Sequence, residues 1–169
     1  MNLISVSTDA TDLGLVPLGD RLYKFTYDPN VRIEFDNGLV YLYSFNREFV
    51  TNFRSGAPVI DCFVDQIGSS LTALAYLVHD ANYTPCHYLF DRHPLPKEDA
   101  DKLLRAMLRY AGMAGFKSAV VYDSVKWFGK SAYEDDDDLT EKNKYKFAFY
   151  RKVVNYPPPK GGELRVSFR

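Results

Sequence analysis

The sequence is poor in cysteine, with only Cys62 and Cys86 among 169 residues. Two cysteines are too few for the disulfide scaffold on which many small secreted domains depend. Their spacing does not indicate whether they pair, and we interpret both as reduced, because free cysteine commonly acts as a small buried hydrophobe. A chain of this length is expected to form a single domain over residues 1–169, with a core that needs no covalent support.

Excess charge and long apolar runs are also missing. The formal net charge is −1, so no general positive field attracts nucleic acid or anionic membranes. No segment reaches the ~18 consecutive apolar residues of a membrane-spanning helix. The first residues lack the basic start and the apolar run of a signal peptide. These absences predict a protein that is made and kept in a cytosol, or packaged from one.

Aromatic residues, by contrast, are abundant. The 13 Tyr and 12 Phe favour strands, whose half-buried surfaces accommodate rings. Residues 22–27 alternate polar and aromatic positions before a turn at 28–30. Residues 31–35 and 39–45 are predicted to form a hairpin, because Asn37-Gly38 between them provides the positive φ angles of a tight turn. The first 45 residues are therefore predicted to be rich in β-structure.

The middle of the chain changes to helical periodicity. Residues 46–68 are predicted to be a long connecting loop, and loops of that length inside a domain are usually functional. A helix then covers about 71–83, a second runs from Pro96 to Gly112, and a third covers about 116–128. The second has the cleanest apolar stripe, with an i, i+3, i+4, i+7 pattern.

Two further strand candidates follow the helices. Residues 144–149 alternate basic and aromatic positions, and 164–168 form an apolar run after Pro and Gly. Between helices and strands, the acidic run Glu134–Asp138 is interpreted as a solvated loop; calcium binding is the alternative, although the run lacks the spacing of an EF-hand loop. The predicted class is α+β: an N-terminal antiparallel hairpin or sheet, a central three-helix segment over 69–130, and C-terminal strands over 144–169 that return to the sheet.

The end of the first predicted helix concentrates polar residues. At ~100° per residue, His79 and Tyr83 lie within ~40° of each other on one face, while Asp80 points elsewhere. His79 is at the edge of the apolar stripe that includes Leu71 and Val78, and Asp80 falls on the opposite side. An imidazole at such an edge can be oriented by a carboxylate and still face a cleft.

The second helix contains a suitable carboxylate. Asp101 lies only ~20° around the helix from Leu108, so it borders the buried stripe. If the two helices pack antiparallel, Asp101 can reach a nitrogen of His79, which would then act as a general base toward water. Asp80 could hold Ca²⁺ together with backbone carbonyls of residues 56–68. The alternative is that His79 is a structural residue and that Asp101 caps a helix or forms a salt bridge.

Two other patterns are weaker. Zinc binding would need ligands from Cys62, His79, Cys86, His87 and His93, whose spacings match no common zinc pattern. The segment from 142 to 152 mixes basic and aromatic residues, as nucleic-acid platforms do, but a strand with one solvated face explains it equally well. The sequence therefore contains no strong signal for nucleic-acid binding.

Several of these residues resemble a phage and prophage family known as domain of unknown function 1353. The resemblance covers about residues 45–130 and consists of a helix with Leu77 to Tyr83, a helix opening with Ala100-Asp101, and the aromatic-glycine helix end 126–129. Residues 49–55 resemble an upstream stretch of the family. Asn52 stands where the family usually has Asp, so this position differs from the family in charge. The resemblance implies a phage-encoded protein that acts in the host cytoplasm or in the virion.

The same helix pair is also similar to the phospholipase A(2) arrangement, especially the compact version in parvoviral capsid proteins. That similarity implies that His79 is the general base, that Asp80 binds Ca²⁺, that Asp101 orients the imidazole and that Tyr83 supports them. The glycine-rich calcium loop of the phospholipases is not recognisable here. Two hypotheses follow: a Ca²⁺-assisted ester hydrolase that acts on phospholipid, or a non-catalytic phage virion, tail or assembly component that contacts other phage structural proteins.

Overall fold

The computed structural model of the chain describes residues 2–9, 14–19, 22–51, 70–85, 89, 92–134 and 149–153. The architecture is α+β, as predicted from the sequence, with helices that follow a set of antiparallel strands. In chain order the elements are β1 (Leu3–Thr8), β2 (Leu15–Gly19), β3 (Leu22–Phe25), β4 (Asn30–Phe35), β5 (Val40–Ser44), α1 (Ser70–Asn82), α2 (Lys97–Tyr110), α3 (Gly115–Phe128), α4 (Lys130–Glu134) and β6 (Phe149–Val153).

The main sheet has the strand order β1-β4-β5-β6, and every neighbouring pair is antiparallel. Its centre is the predicted hairpin of β4 and β5, with Ile33 opposite Tyr41. Gly38 in the turn has a φ of 78°, a conformation that glycine adopts without a steric penalty. The hairpin prediction is therefore confirmed.

Two strands lie outside the sequence prediction. β1 lies on the outer side of β4, and β2 pairs with β3 in a separate two-stranded sheet. The chain after β5 returns to this small sheet, because the backbone groups of Tyr23 and Thr51 bond to each other at 2.8 and 2.9 Å. This contact fixes Thr51 at the point where it meets the helices.

A C-terminal strand returns to the sheet as predicted, since β6 pairs with β5 and places Tyr150 opposite Tyr43. It lies later in the chain than predicted and shares only Phe149 with the predicted strand 144–149. The remainder of the predicted alternating segment, 144–148, lies outside the described residues. So do the second strand candidate, 164–168, most of the predicted connecting loop, 52–68, both cysteines and His87.

The three long helices begin and end close to the predicted positions. α2 starts one residue after Pro96, which is its N-cap, and is followed by Gly112 with a φ of 90°. Gly129 follows α3 as predicted, but the chain then forms the short helix α4, so that Glu134 is helical rather than the start of a loop. No helix in the described ranges is long and apolar enough to cross a membrane.

The core lies between the inner face of the main sheet and α1 and α2. Aromatic residues just after β5 contribute to the core, where the Phe45 and Phe49 rings meet edge-on with their centroids 5.3 Å apart. Leu74 and Leu77 of α1 and Leu104 of α2 are at most 1% exposed. Almost every side chain of α1 is buried, so the polar residues at its C-terminal end must find partners inside the protein.

Candidate functional site

The C-terminal end of α1 carries buried polar residues, and each has an internal partner. Asn82 donates through Nδ2 to the Val78 carbonyl at 2.9 Å and accepts from the Tyr43 hydroxyl at 3.1 Å. The contact with Tyr43 bonds the helix end to β5 and constrains the rotation of α1, which decides where His79 and Asp80 point.

His79 meets Asp101 across the α1–α2 interface. Its Nε2 lies 3.0 Å from Asp101 Oδ1, and both side chains are 2% exposed. The end of α1 therefore lies beside the start of α2, and the contact expected from helical periodicity is present. The burial differs from the expectation, since periodicity predicts His79 at the edge of a cleft and the structure encloses it. An apolar stripe predicts one buried face and one exposed face of a helix. The structure instead covers α1 on nearly all sides.

Asp101 is the centre of a cluster of donors. The Tyr83 hydroxyl donates to Oδ1 at 2.7 Å, and Lys97 Nζ donates to Oδ2 at 2.7 Å. Lys97 also donates to the Val125 carbonyl at 2.9 Å, at the C-terminal end of α3. A cation is favoured there, because the last carbonyls of a helix carry partial negative charge. We call His79, Tyr83, Lys97 and Asp101 the Asp101 cluster; it joins α1, α2 and α3.

Aromatic rings enclose one side of the Asp101 cluster. The Tyr83 ring lies over His79 with 4.2 Å between centroids and a tilt of 38°. Tyr133 of α4 meets Tyr83 edge-on at 5.3 Å, stacks on His93 at 3.9 Å, and donates its hydroxyl to the Leu95 carbonyl at 2.9 Å. The short helix α4 therefore has a specific structural role, because it places Tyr133 against the cluster.

The local electrostatics fix the protonation of the pair. Burial lowers the pKa of His79, and this outweighs the hydrogen bond and charge of Asp101, which act in the opposite direction. Burial alone would raise the pKa of Asp101, but the hydrogen bonds from His79, Lys97 and Tyr83 lower it. Near neutral pH the site therefore contains a neutral imidazole that donates Nε2–H to an ionised carboxylate, with Lys97 as the balancing cation.

Burial also raises the pKa of Tyr83, and the hydrogen bond to the Asp101 carboxylate adds to the effect. The phenol consequently stays protonated and can only donate to Asp101. Both tyrosine and histidine act here as neutral hydrogen-bond donors. This leaves Lys97 as the positive charge that contacts the carboxylate within the described part of the chain.

Asp80 does not lie where the sequence predicts it. Periodicity places it on the side of α1 away from the core, but it is 7% exposed, and the Thr51 hydroxyl donates to its Oδ2 at 2.5 Å. The reason is that the segment ending at Thr51 covers the face of α1 that periodicity alone assigns to solvent. Within the described ranges, no group of three His, Cys, Asp or Glu side chains is arranged to hold a metal ion. The proposed carbonyl ligands at 56–68 lie outside those ranges.

Sequence reasoning finds His79, Tyr83 and Asp101 but misses Lys97 and Tyr133. A signal for Lys97 exists, because it precedes Asp101 by four residues and so shares its helix face. No comparable signal exists for Tyr133, which reaches the cluster only through the turn at Gly129.

The chain matches no protein-family model, no curated protein and no solved structure.

Proposed function

We propose that this chain is a non-catalytic phage virion or assembly component in which the Asp101 cluster holds three helices in one arrangement. The observation that carries the proposal is the burial of His79 and Asp101, each 2% exposed. A general base must reach a water molecule and a substrate within hydrogen-bond distance. An enclosed pair is better suited to a fixed contact than to turnover.

The chemistry of the cluster supports a structural role. Asp101 accepts from three side chains, His79, Tyr83 and Lys97, so both of its oxygens are engaged. A carboxylate with this many donors is a strong crosslink between helices, because removal of Asp101 takes away the acceptor that three buried or half-buried donors share. The lowered pKa of His79 points in the same direction, since it keeps the imidazole a neutral donor throughout the neutral range.

The phage context derives from the resemblance of residues 45–130 to a phage and prophage family. The partners we propose are accordingly other phage structural proteins, in the virion or during its assembly in the host cytoplasm. Mass spectrometry of purified particles and of assembly intermediates tests this, using a phage whose genome encodes the chain. We expect the protein in at least one of the two fractions in stoichiometric amount, and its absence from both would contradict the proposal.

A second candidate is a Ca²⁺-assisted ester hydrolase of phospholipase type. One observation favours it: the 3.0 Å contact of His79 Nε2 with Asp101 Oδ1 is the His–Asp contact that such a mechanism requires. In that mechanism His79 removes a proton from water, Asp101 orients the ring, Tyr83 supports both, and Asp80 holds the cation that polarises the ester carbonyl. The enclosed imidazole would have to become accessible before it could act.

The release of fatty acid from mixed phospholipid vesicles separates the two candidates. The structural proposal predicts no release above a buffer blank, with or without Ca²⁺, and a large loss of stability for His79→Ala. The hydrolase predicts release that chelation stops. His79→Gln is the informative variant, because glutamine can still donate to Asp101: it should retain most of the stability and lose all hydrolysis if any exists.

A further inference from the structure

A second feature of the fold is a pocket of about 440 Å³ between α2 and the main sheet. None of the residues of the Asp101 cluster lines it. Small-molecule pockets typically have ~300–1,000 Å³ and mostly apolar walls with a few polar groups. Most of this wall is aliphatic or aromatic, contributed by Leu3, Phe35, Leu39, Tyr41, Leu103 and Ala106.

Two charged residues of α2, Asp99 and Lys102, complete the lining, and they differ in their partners. Lys102 Nζ is paired with Glu98 Oε1 at 2.7 Å. The Asp99 carboxylate makes no hydrogen bond or ion pair with any residue in the described ranges. Asp99 is therefore the charged group of the lining that forms no ion pair within the described part of the chain, whereas Lys102 is paired with Glu98.

The charge of Asp99 affects the pKa of Tyr41, which also lines the pocket. Burial raises the pKa of Tyr41, and the negative charge of Asp99 raises it further. The Tyr41 and Phe35 rings stand nearly perpendicular, at 81° with 5.5 Å between centroids. Both rings line the pocket, and aromatic rings attract cations through their π-systems.

We propose that this pocket binds a small amphipathic cation. Its apolar tail lies among the leucines, and its ammonium group lies between the Asp99 carboxylate and the aromatic rings. Desolvating the tail provides most of the affinity, and the carboxylate and ring faces select positive charge over neutral or negative head groups. This site is independent of the function proposed for the Asp101 cluster.

Three ligands with the same hexyl tail test the proposal: hexylammonium, hexanol and hexanesulfonate. Each is titrated into the intact chain while the backbone amide shifts of α2 and β5 are followed by NMR. We expect saturable shifts around Tyr41 and Leu103. Hexylammonium should bind about fivefold more tightly than hexanol, the ratio expected for a partly exposed charge contact, and hexanesulfonate should bind most weakly.

Two variants assign any binding to this pocket. Asp99→Asn keeps the shape of the side chain and should bring hexylammonium to within about twofold of hexanol, since the charge that distinguishes them is gone. Ala106→Phe narrows the pocket and should weaken the binding of all three ligands. Circular dichroism confirms that each variant is folded before its titration is interpreted.

The outcomes are exclusive. Equal binding of hexylammonium and hexanol, tighter binding of hexanesulfonate, or unchanged affinity of Ala106→Phe for the ligands would each overturn the proposal. The same holds if no ligand causes shifts at millimolar concentration. Preference for hexylammonium that disappears in Asp99→Asn would support it.

Discussion

α2 contains two lysine–carboxylate pairs with the same spacing and the same separation, and they differ in where they lie. Lys97 Nζ is 2.7 Å from Asp101 Oδ2, and Lys102 Nζ is 2.7 Å from Glu98 Oε1. Asp101 is 2% exposed, whereas Glu98 is 74% exposed. The first pair faces α1 and α3, and the second is largely exposed to solvent.

The i, i+4 spacing of an ion pair therefore does not decide what the pair contributes. Water screens the outer pair, Lys102 and Glu98, so the free energy gained from attraction is about as large as the side-chain entropy lost when the pair forms. In the inner pair, Lys97 and Asp101, hydrogen bonds to water cannot take the place of the lost contact. Removal of one partner therefore leaves a charge and hydrogen-bond donors buried. The inner face of α2 is therefore where we expect substitutions to affect the fold.

The largest expected effect is that of removing the inner carboxylate. Asp101→Ala leaves His79, Tyr83 and Lys97 without their common acceptor. We expect the free energy of unfolding to fall by about 3–5 kcal/mol, the range for breaking a buried charge pair. Urea unfolding followed by circular dichroism measures it, and a loss no larger than that of Glu98→Ala would contradict the distinction between the two faces.

Removal of the inner lysine is expected to have a smaller effect. Lys97 is 19% exposed, so Lys97→Met should cost about 2 kcal/mol, between the values for exposed and fully buried pairs. Lys102→Met in the outer pair is the control and should cause no measurable change. Equal effects of the two substitutions in thermal and urea unfolding would show that burial does not separate the pairs.

A loss of stability of similar or smaller size is expected for a substitution at Gly129, where α3 meets the Asp101 cluster. A Cβ on Gly129 would lie 2.5 Å from the Val125 carbonyl oxygen and 2.7 Å from the Tyr83 hydroxyl. Gly129→Ala should therefore cost about 1–3 kcal/mol of stability, as overpacking typically does. The matched control is Gly115→Ala, whose Cβ would meet only the flexible end of Arg109; its stability should be unchanged or slightly raised.

The Asp101 cluster should also make the stability of the protein sensitive to acid. Burial lowers the pKa of His79 from its ordinary 6.5. In the pH window between the lowered folded pKa and 6.5, the unfolded chain therefore binds a proton that the folded chain does not. Stability should fall with decreasing pH by at most about 1.4 kcal/mol per unit in this window. Asp101, whose folded pKa is also lowered, adds a further loss below its ordinary 3.8. The free energy of unfolding of His79→Gln should depend less on pH between 7 and 5 than that of the unchanged protein. Equal pH dependence of the two proteins would contradict the attribution of this acid sensitivity to His79.

The elements that the sequence predicts well have strong local determinants. The β4–β5 hairpin is set by Asn37-Gly38, and α2 by an apolar stripe with a proline before it and a glycine after it. The contact of His79 with Asp101 follows from the same periodicity. These features depend on neighbours within a few residues, which is why pattern reasoning reaches them.

Other features depend on contacts that are distant in sequence. β1 becomes a strand because β4 offers it an edge, and Asp80 is buried because Thr51 returns over α1. Tyr133 reaches the cluster through a turn and a single short helix. None of these has a local pattern, since each is decided by which surface a remote segment covers.

The most direct test of the structural role is the protonation state of His79 in the intact protein. Nitrogen-15 NMR of its imidazole, recorded from pH 8 to 5, reports which ring nitrogen carries hydrogen and whether the ring titrates. We expect a neutral ring with hydrogen on Nε2, bonded to Asp101, that does not titrate at 6.5. An imidazole that takes up a proton at or above that value and exchanges freely with solvent would contradict it.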